Sequence, residues 1–171
     1  KTRVCHLSSV HYATDTRILY RECNSLSQLF SITIIAPSPK YISSSKIKIK
    51  SIPKVKSLFI RLILIDPFLF FKALFSKAKI YHLHDPELLP IGLLFQLFGA
   101  KVIYDVHELV LEDIKSKNLS IFEKPLACIY LWFENLACKH FHLLLAEESY
   151  KKYFQNKSGN FEVIQNFVLL S

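Results

Sequence analysis

Glycine is scarce in this chain, with 3 in 171 residues and none before Gly92. A dinucleotide-binding domain needs Gly-x-Gly-x-x-Gly directly after its first strand, where missing side chains let the backbone approach a pyrophosphate. Here the corresponding turn is SSVHYATDTR, without a glycine, and no P-loop occurs anywhere. A NAD or FAD site of the usual kind is therefore not expected. No CxxC pair exists among Cys5, Cys23, Cys128 and Cys138, so buried thiols in a reducing compartment are expected rather than a disulfide framework. Lys1 to Ser9 holds no sustained apolar run, and no signal peptide is read there. The most apolar stretch, Ser57 to Ala78, is broken by Arg61, Asp66, Pro67 and Lys72. A membrane span needs about twenty nearly uncharged residues. Methionine is absent and the chain opens on Lys1, so the sequence is read as a piece of a longer protein.

What is present is apolar and basic. Hydrophobic residues make up 51% of the chain, which excludes disorder as a class and suits one domain over residues 1–171 with a real core. The net charge is +8. That implies attraction to a membrane surface, a phosphorylated substrate or nucleic acid, or no more than a basic surface.

Along the chain, β and α signals alternate. Arg3 to Ser8 reads as a first strand. Thr14 or Asp15 can cap a helix in which Ile18, Leu19, Glu22, Leu26 and Leu29 recur at helical spacing. Ser31 to Ala36 is a continuous β-branched run, as expected for a strand buried on both faces, and Pro37 to Pro39 ends it. This opening is a parallel β–α–β unit with a right-handed crossover. The Ser- and Lys-rich stretch from Lys40 to Lys56 contains KIKIKSI (Lys46 to Ile52). Its strict alternation predicts a half-exposed edge strand whose lysines discourage edge-to-edge pairing. Ser57 to Ala78 is expected to bury against the sheet, with Pro67 kinking or splitting the helix. A surface-lying membrane segment is the alternative.

Lys79 to Leu83 is a further strand, followed by a helix from Glu87 to Phe98 that Gly99 ends. Pro90 is tolerated in its first turn. Lys101 to Val106 is the next strand and Leu109 to Ser120 a polar loop with room for one helical turn. Phe122 to His140 is a helix carrying Trp132, Phe133 and Leu136 toward the core. Phe141 to Ala146, Glu147 to Gln155 and Phe161 to Gln165 read as strand, short helix and strand. The fold class expected is α/β, a Rossmann-like parallel sheet with helices on both faces.

Ionisable residues gather where two strands end. His82, His84, Asp85 and Glu87 follow one; Asp105, His107 and Glu108 close the other. Parallel neighbouring strands would bring both clusters to the carboxyl edge of the sheet, where open α/β sheets place ligands. The first loop adds Ser8, Ser9, His11, Asp15 and Arg17, hydroxyls and a guanidinium suited to sugars or phosphates. Residues two apart on a strand share a face, so His82 and His84 could hold one metal with His107 and Asp105 or Glu108, as in a hydrolase. The simpler reading makes His82 a core histidine and His84 a turn cap. His107 beside a carboxylate would be held in one tautomer, fit to hydrogen-bond a reacting sugar or phosphate.

These motifs carry a resemblance. HDPELLPIGLL, then KVIYDVHE, with the early SSVHYATDTRILYRECNSL, resemble the N-terminal half of GT-B fold glycosyltransferases of family 4, over nearly the whole chain and up to Asn166. The resemblance implies that two Rossmann-like domains face a cleft, the N-terminal one holding the acceptor and the C-terminal one a nucleotide sugar. Transfer would retain the anomeric configuration, with no cofactor and no metal. It assigns a catalytic place to His107 and acceptor-side places to Asp15, Arg17, His84, Asp85, Glu87 and Glu108. The family's Gly-Gly pair in the first loop has no counterpart here, so no donor-binding residue is assigned. The expected partners are a nucleotide-sugar donor, a glycan or lipid-linked acceptor, the missing C-terminal domain and an anionic membrane surface, but not nucleic acid. The place expected is the cytoplasm, at the inner membrane face if peripheral, in polysaccharide biosynthesis. This piece alone is expected to be inactive, because groups from both domains complete such a site on closure. The readings from other classes are a metal-dependent hydrolase using His82, His84 and His107, and a non-catalytic membrane-surface module.

Overall fold

The computed structural model describes residues 1–38, 46–112, 123–157 and 159–165. Pro39 as a strand stop, the stretch up to residue 45, the loop beyond residue 112, and Asn166 lie outside them. The chain forms two compact units, Lys1–Val102 and Ile103–Ser171. The seven strands among the described residues belong to a parallel, Rossmann-like α/β fold.

In the first unit the strand order is β3-β2-β1-β4, with β1 Arg3–Leu7, β2 Ser31–Pro37, β3 Ile47–Ile52 and β4 Ile80–Leu83. β1 lies between β2 and β4, pairing Val4 with Ile32 on one side and with Ile80 on the other. The alternating KIKIKSI segment is β3, at the end of the order.

Side-chain alternation sends Val4 and His6 to one face and Cys5 and Leu7 to the other. On the first face, Val4, Ile32, Ile34, Ala36 and Ile47 pack with Ala13, Ile18, Leu19 and Cys23. The last three belong to α1, a wide-turn helix over Thr16–Cys23 that ends in a single α-turn, Asn24–Leu26. Asp15 caps it as the spacing predicted, its Oδ1 accepting from the amides of Arg17 at 3.0 Å and Ile18 at 3.4 Å. Such a cap contributes about 1 kcal/mol. Leu29, expected on the buried face, lies past the end of the helix and is exposed.

Two helices cover the opposite face. α2 runs through Leu58–Ile60, a wide turn Arg61–Ile65, and Asp66–Leu74. α3 enters through a 3-10 turn, Pro86–Leu88, and continues over Leu89–Leu97. Tyr81 of β4 donates its hydroxyl to the Ala73 carbonyl of α2 at 3.3 Å and stacks on Phe95 of α3, centroids 3.7 Å apart. Gly99 takes φ +80, which lets its amide reach Gln96 and that of Ala100 reach Phe95, closing α3 as predicted. Burial pushes the Cys5 thiol up to about 12.

Two expectations for α2 need correction. Pro67 does not split the helix: the wide turn directly ahead of it absorbs the missing amide hydrogen and the crowding of the preceding turn. Nor is the segment buried as a whole. Ile65, Asp66, Leu69 and Ala73 face inward, while Leu58, Phe59, Ile63, Leu64, Phe68, Phe71 and Phe75 are exposed, Phe75 at 81%. Adjacent apolar residues on a helix point around its whole circumference, and one sheet face covers only one side.

The second unit has the order β5-β6-β7, with β5 Lys101–Val106, β6 His142–Leu145 and β7 Phe161–Val163. A helical turn occupies residues 110–112. α4 is Glu123–His140 and α5 is Lys151–Phe154, entered by the 3-10 turn Glu148–Tyr150. Of the α4 residues expected in the core, Trp132 is 60% exposed, while Phe133 and Leu136 are half-buried. Ala137 and Cys138 are buried instead, together with Glu134. That carboxylate is satisfied by the hydroxyls of Tyr130 at 2.9 Å and Tyr153 at 2.5 Å and by Lys157 at 3.0 Å. Three of the four cysteines are buried as expected, but Cys128 is exposed on α4. Among the described residues, no helix is long and apolar enough to cross a membrane.

Candidate functional site

In the first unit the candidate residues assemble where β1 and β4 end. β1 delivers the loop Ser8 to Asp15, and β4 delivers His84, Asp85 and Glu87. His84 hydrogen-bonds back to β1 through its amide, at 3.1 Å from the Leu7 carbonyl.

Asp85 is buried and organises the loop. Its Oδ2 accepts from the Ser9 amide at 2.7 Å and the Val10 amide at 3.3 Å, with the Ser9 hydroxyl at 3.4 Å. Its Oδ1 lies 3.5 Å from His11 Nε2, and His11 Nδ1 lies 3.7 Å from Asp15 Oδ2. A carboxylate taking two backbone amides behaves like a helix cap acting across strands, and it fixes where His11 and Asp15 stand.

Glu87 is engaged on both oxygens. Arg61 grips it bidentately, Nε to Oε1 at 2.6 Å and Nη2 to Oε2 at 2.8 Å, and the Ser9 hydroxyl donates to Oε1. Arg61 spends its remaining nitrogen on the carbonyls of Val55, 3.2 Å, and Lys56, 2.8 Å. Asp66 is buried nearby, with no hydrogen-bond partner for either oxygen among the described residues. Burial, and then the charges of Glu87 and Asp85, push its pKa up to about 8, against a smaller downward pull from Arg61. The HDPE carboxylates thus hold the first loop and α2, while the partly exposed polar groups at this edge are His11, Asp15, Arg17 and Glu22.

His82 and His84 have neighbours that the sequence did not suggest. Their partners are His6 and Glu22, where Asp105, His107 or Glu108 had been the candidates. The four offer ligand atoms all within 4.8 Å of one another. His6 faces His82 in the β1–β4 register. His84 shares that face two residues on, and Glu22 stands one turn after Ile18 on α1. The signal lay in the strand pattern, since Val4 and His6 alternate as Ile80 and His82 do, but only the pairing of β1 with β4 joins them.

In the second unit His107 directly follows β5 and its Nε2 lies 2.5 Å from Asp105 Oδ2. Asp105 is buried and His107 half-buried, and the Tyr150 hydroxyl donates to the His107 carbonyl at 2.9 Å. Glu108 is exposed.

No protein-family model matches the chain, and no curated protein does. Solved structures do match it. Two are of sucrose-phosphate synthase from Thermosynechococcus elongatus, both 14% identical over 98% of this chain. One has a TM-score of 0.66 with 90% of its chain covered; the other has 0.67 with 49% covered. The chain therefore spans about half of the longer of these two. The likeness defines the class of fold: a Rossmann-like α/β domain of the GT-B type.

Proposed function

We propose that this chain is the acceptor-side domain of a retaining glycosyltransferase of family 4, part of a longer protein whose second domain binds a nucleotide sugar. The observation that carries this reading is the likeness to sucrose-phosphate synthase over 98% of the chain, with polar groups gathered at the strand ends where such folds bind ligands. The acceptor is a glycan or a lipid-linked sugar, met by His11, Asp15 and Arg17 on the first loop. His84, Asp85 and Glu87 form the wall behind that loop, and Glu108 stands beside His107. His107, buttressed by Asp105, hydrogen-bonds a hydroxyl of the reacting sugar and steadies developing charge. Transfer uses no metal and no cofactor, and takes place on the cytoplasmic side.

The test is the His107→Gln variant of the full-length protein, whose amide can still donate to Asp105. Release of nucleoside diphosphate is followed with a panel of nucleotide sugars and acceptors. Loss of a general acid–base or hydrogen-bonding group costs about 100-fold or more in kcat, with KM little changed. Native-like turnover by this variant removes His107 from the chemistry.

The exposed apolar side of α2 supports a peripheral place at an anionic membrane. Phe59, Leu64, Phe71 and Phe75 are exposed there, and Lys72 stands over the Phe68 ring at 5.1 Å. An apolar face with flanking lysines is expected to bind vesicles containing anionic lipid and to release them as salt rises. Phe71→Asp combined with Phe75→Asp should abolish sedimentation with such vesicles. Failure of the native protein to bind them at low salt overturns the membrane contact.

A further inference from the structure

We propose that His6, Glu22, His82 and His84 form a binding site for one divalent transition-metal ion, with zinc the best fit. The site is structural, and it stands independently of the glycosyltransferase reading.

The argument is geometric. His6 Nδ1 lies 3.1 Å from His84 Nε2, and Glu22 Oε2 lies 3.7 Å from the first and 3.9 Å from the second. A triangle with these sides has its centre about 2.1 Å from each corner, which is the Zn–N and Zn–O bond length. His82 Nδ1 is the fourth atom, 3.9 Å from the same Glu22 oxygen. The edges of a tetrahedron built on bonds of about 2.1 Å are roughly 3.4 Å; these four separations, 3.1, 3.7, 3.9 and 3.9 Å, lie close to that length, and all four ligand atoms fall within 4.8 Å of one another. The rings already crowd one another, with centroids 4.7 Å apart for His6 and His82, 5.3 Å for His6 and His84, and 4.5 Å for His82 and His84.

The donor set fits the same ion. Three imidazoles and a carboxylate suit zinc among the available divalent metals. Four protein ligands leave no open position, the pattern of a structural site rather than a catalytic one. All three histidines are buried, and Glu22 closes the site from α1 with its side chain 24% exposed. Its other oxygen, Oε1, lies 3.8 Å from Arg17 Nε, an outer contact of the kind that orients a ligating carboxylate. The ion would tie α1 to β1 and β4 and so fix the loop between them.

The experiment uses the full-length protein, freed of any affinity tag and purified without added metal. Zinc is quantified by elemental mass spectrometry after gel filtration, for the native protein and for His84→Ala and Glu22→Gln. Glu22→Gln keeps the shape of a half-exposed side chain, so it reports even if the buried histidine variant fails to fold. One equivalent of zinc more in the native protein than in Glu22→Gln is expected. So are an affinity lower by at least about tenfold in that variant and visible absorption of a tetrahedral site after cobalt substitution. A chelator should lower the thermal midpoint of the native protein and leave that of Glu22→Gln unmoved. Equal zinc content in native and Glu22→Gln proteins overturns the proposal, as does failure of the native protein to take up equimolar zinc.

Discussion

Replacing Arg61 with methionine is expected to lower the unfolding free energy by about 3–5 kcal/mol, the cost of breaking a buried ion pair by removing one partner. Arg61 and Glu87 are only 13% and 8% exposed at the side chain, and the guanidinium grips both carboxylate oxygens. Without it, Glu87 remains buried near Asp85 and Asp66 with no countercharge, and the carbonyls of Val55 and Lys56 lose their donor. For a domain of this size the loss corresponds to a fall in thermal midpoint of roughly 10 °C. The control is the double variant Arg61→Met with Glu87→Met. A fully apolar pair replaces an ion pair at little cost, so the double variant should regain most of what the single one loses. Urea denaturation of the three proteins measures both effects. A loss under about 1 kcal/mol in the single variant would mean that the pair is solvated after all.

Asp66→Asn is expected to act in the opposite direction, and to do so more strongly as pH rises. In the unfolded chain this carboxyl ionises near 3.8, whereas in the fold it is pushed up to about 8. Burial is the main cause, followed by the charges of Glu87 and Asp85. Between those two values the folded protein keeps a proton that the unfolded chain has lost. Stability therefore falls as pH rises through this window and levels off above about pH 8. Each unit of difference is worth about 1.4 kcal/mol. An amide cannot ionise and removes the slope, though it must still be accommodated where Asp66 finds no hydrogen-bond partner. The variant's stability relative to the native protein should rise by about 5 kcal/mol between pH 4 and pH 8, the cost of accommodating the amide being a constant offset. Denaturation curves at four pH values decide it, and parallel pH profiles for the two proteins would show that Asp66 is ionised in the fold.

Much of the scaffold was legible in the sequence because its signals are local. The β-branched run of β2, the alternation of β3, the Asp15 cap and the Gly99 stop each act within a few residues, and each appears where its chemistry put it. What the sequence could not show was which side of an element meets another. Phe71 and Phe75 read as core because they are apolar, yet the sheet has one face for α2 and that face is filled by Leu69 and Ala73. Trp132 is exposed for the same reason, Glu134 and Ala137 having the inward positions of α4. In the candidate site, HDPE was recognisable as a motif, but the work done by its carboxylates was not. Asp85 holds backbone amides of a loop 75 residues earlier, and Glu87 holds an arginine 26 residues earlier. His6 and Glu22 escaped notice because nothing near either one in the sequence points to His82.

The place of β1 between β2 and β4 also governs the order in which the chain can assemble. Its pairing with β2 joins residues such as Val4 and Ile32, whereas its pairing with β4 joins Val4 and Ile80. Closing the longer loop costs only about 0.9 kcal/mol more entropy, so the delay is one of synthesis rather than of equilibrium. Until Leu83 has emerged from the ribosome, a strand carrying Cys5, His6 and Leu7 has one edge unpaired. The nascent chain must shelter that edge through the making of some fifty residues beyond β2, the most apolar stretch among them.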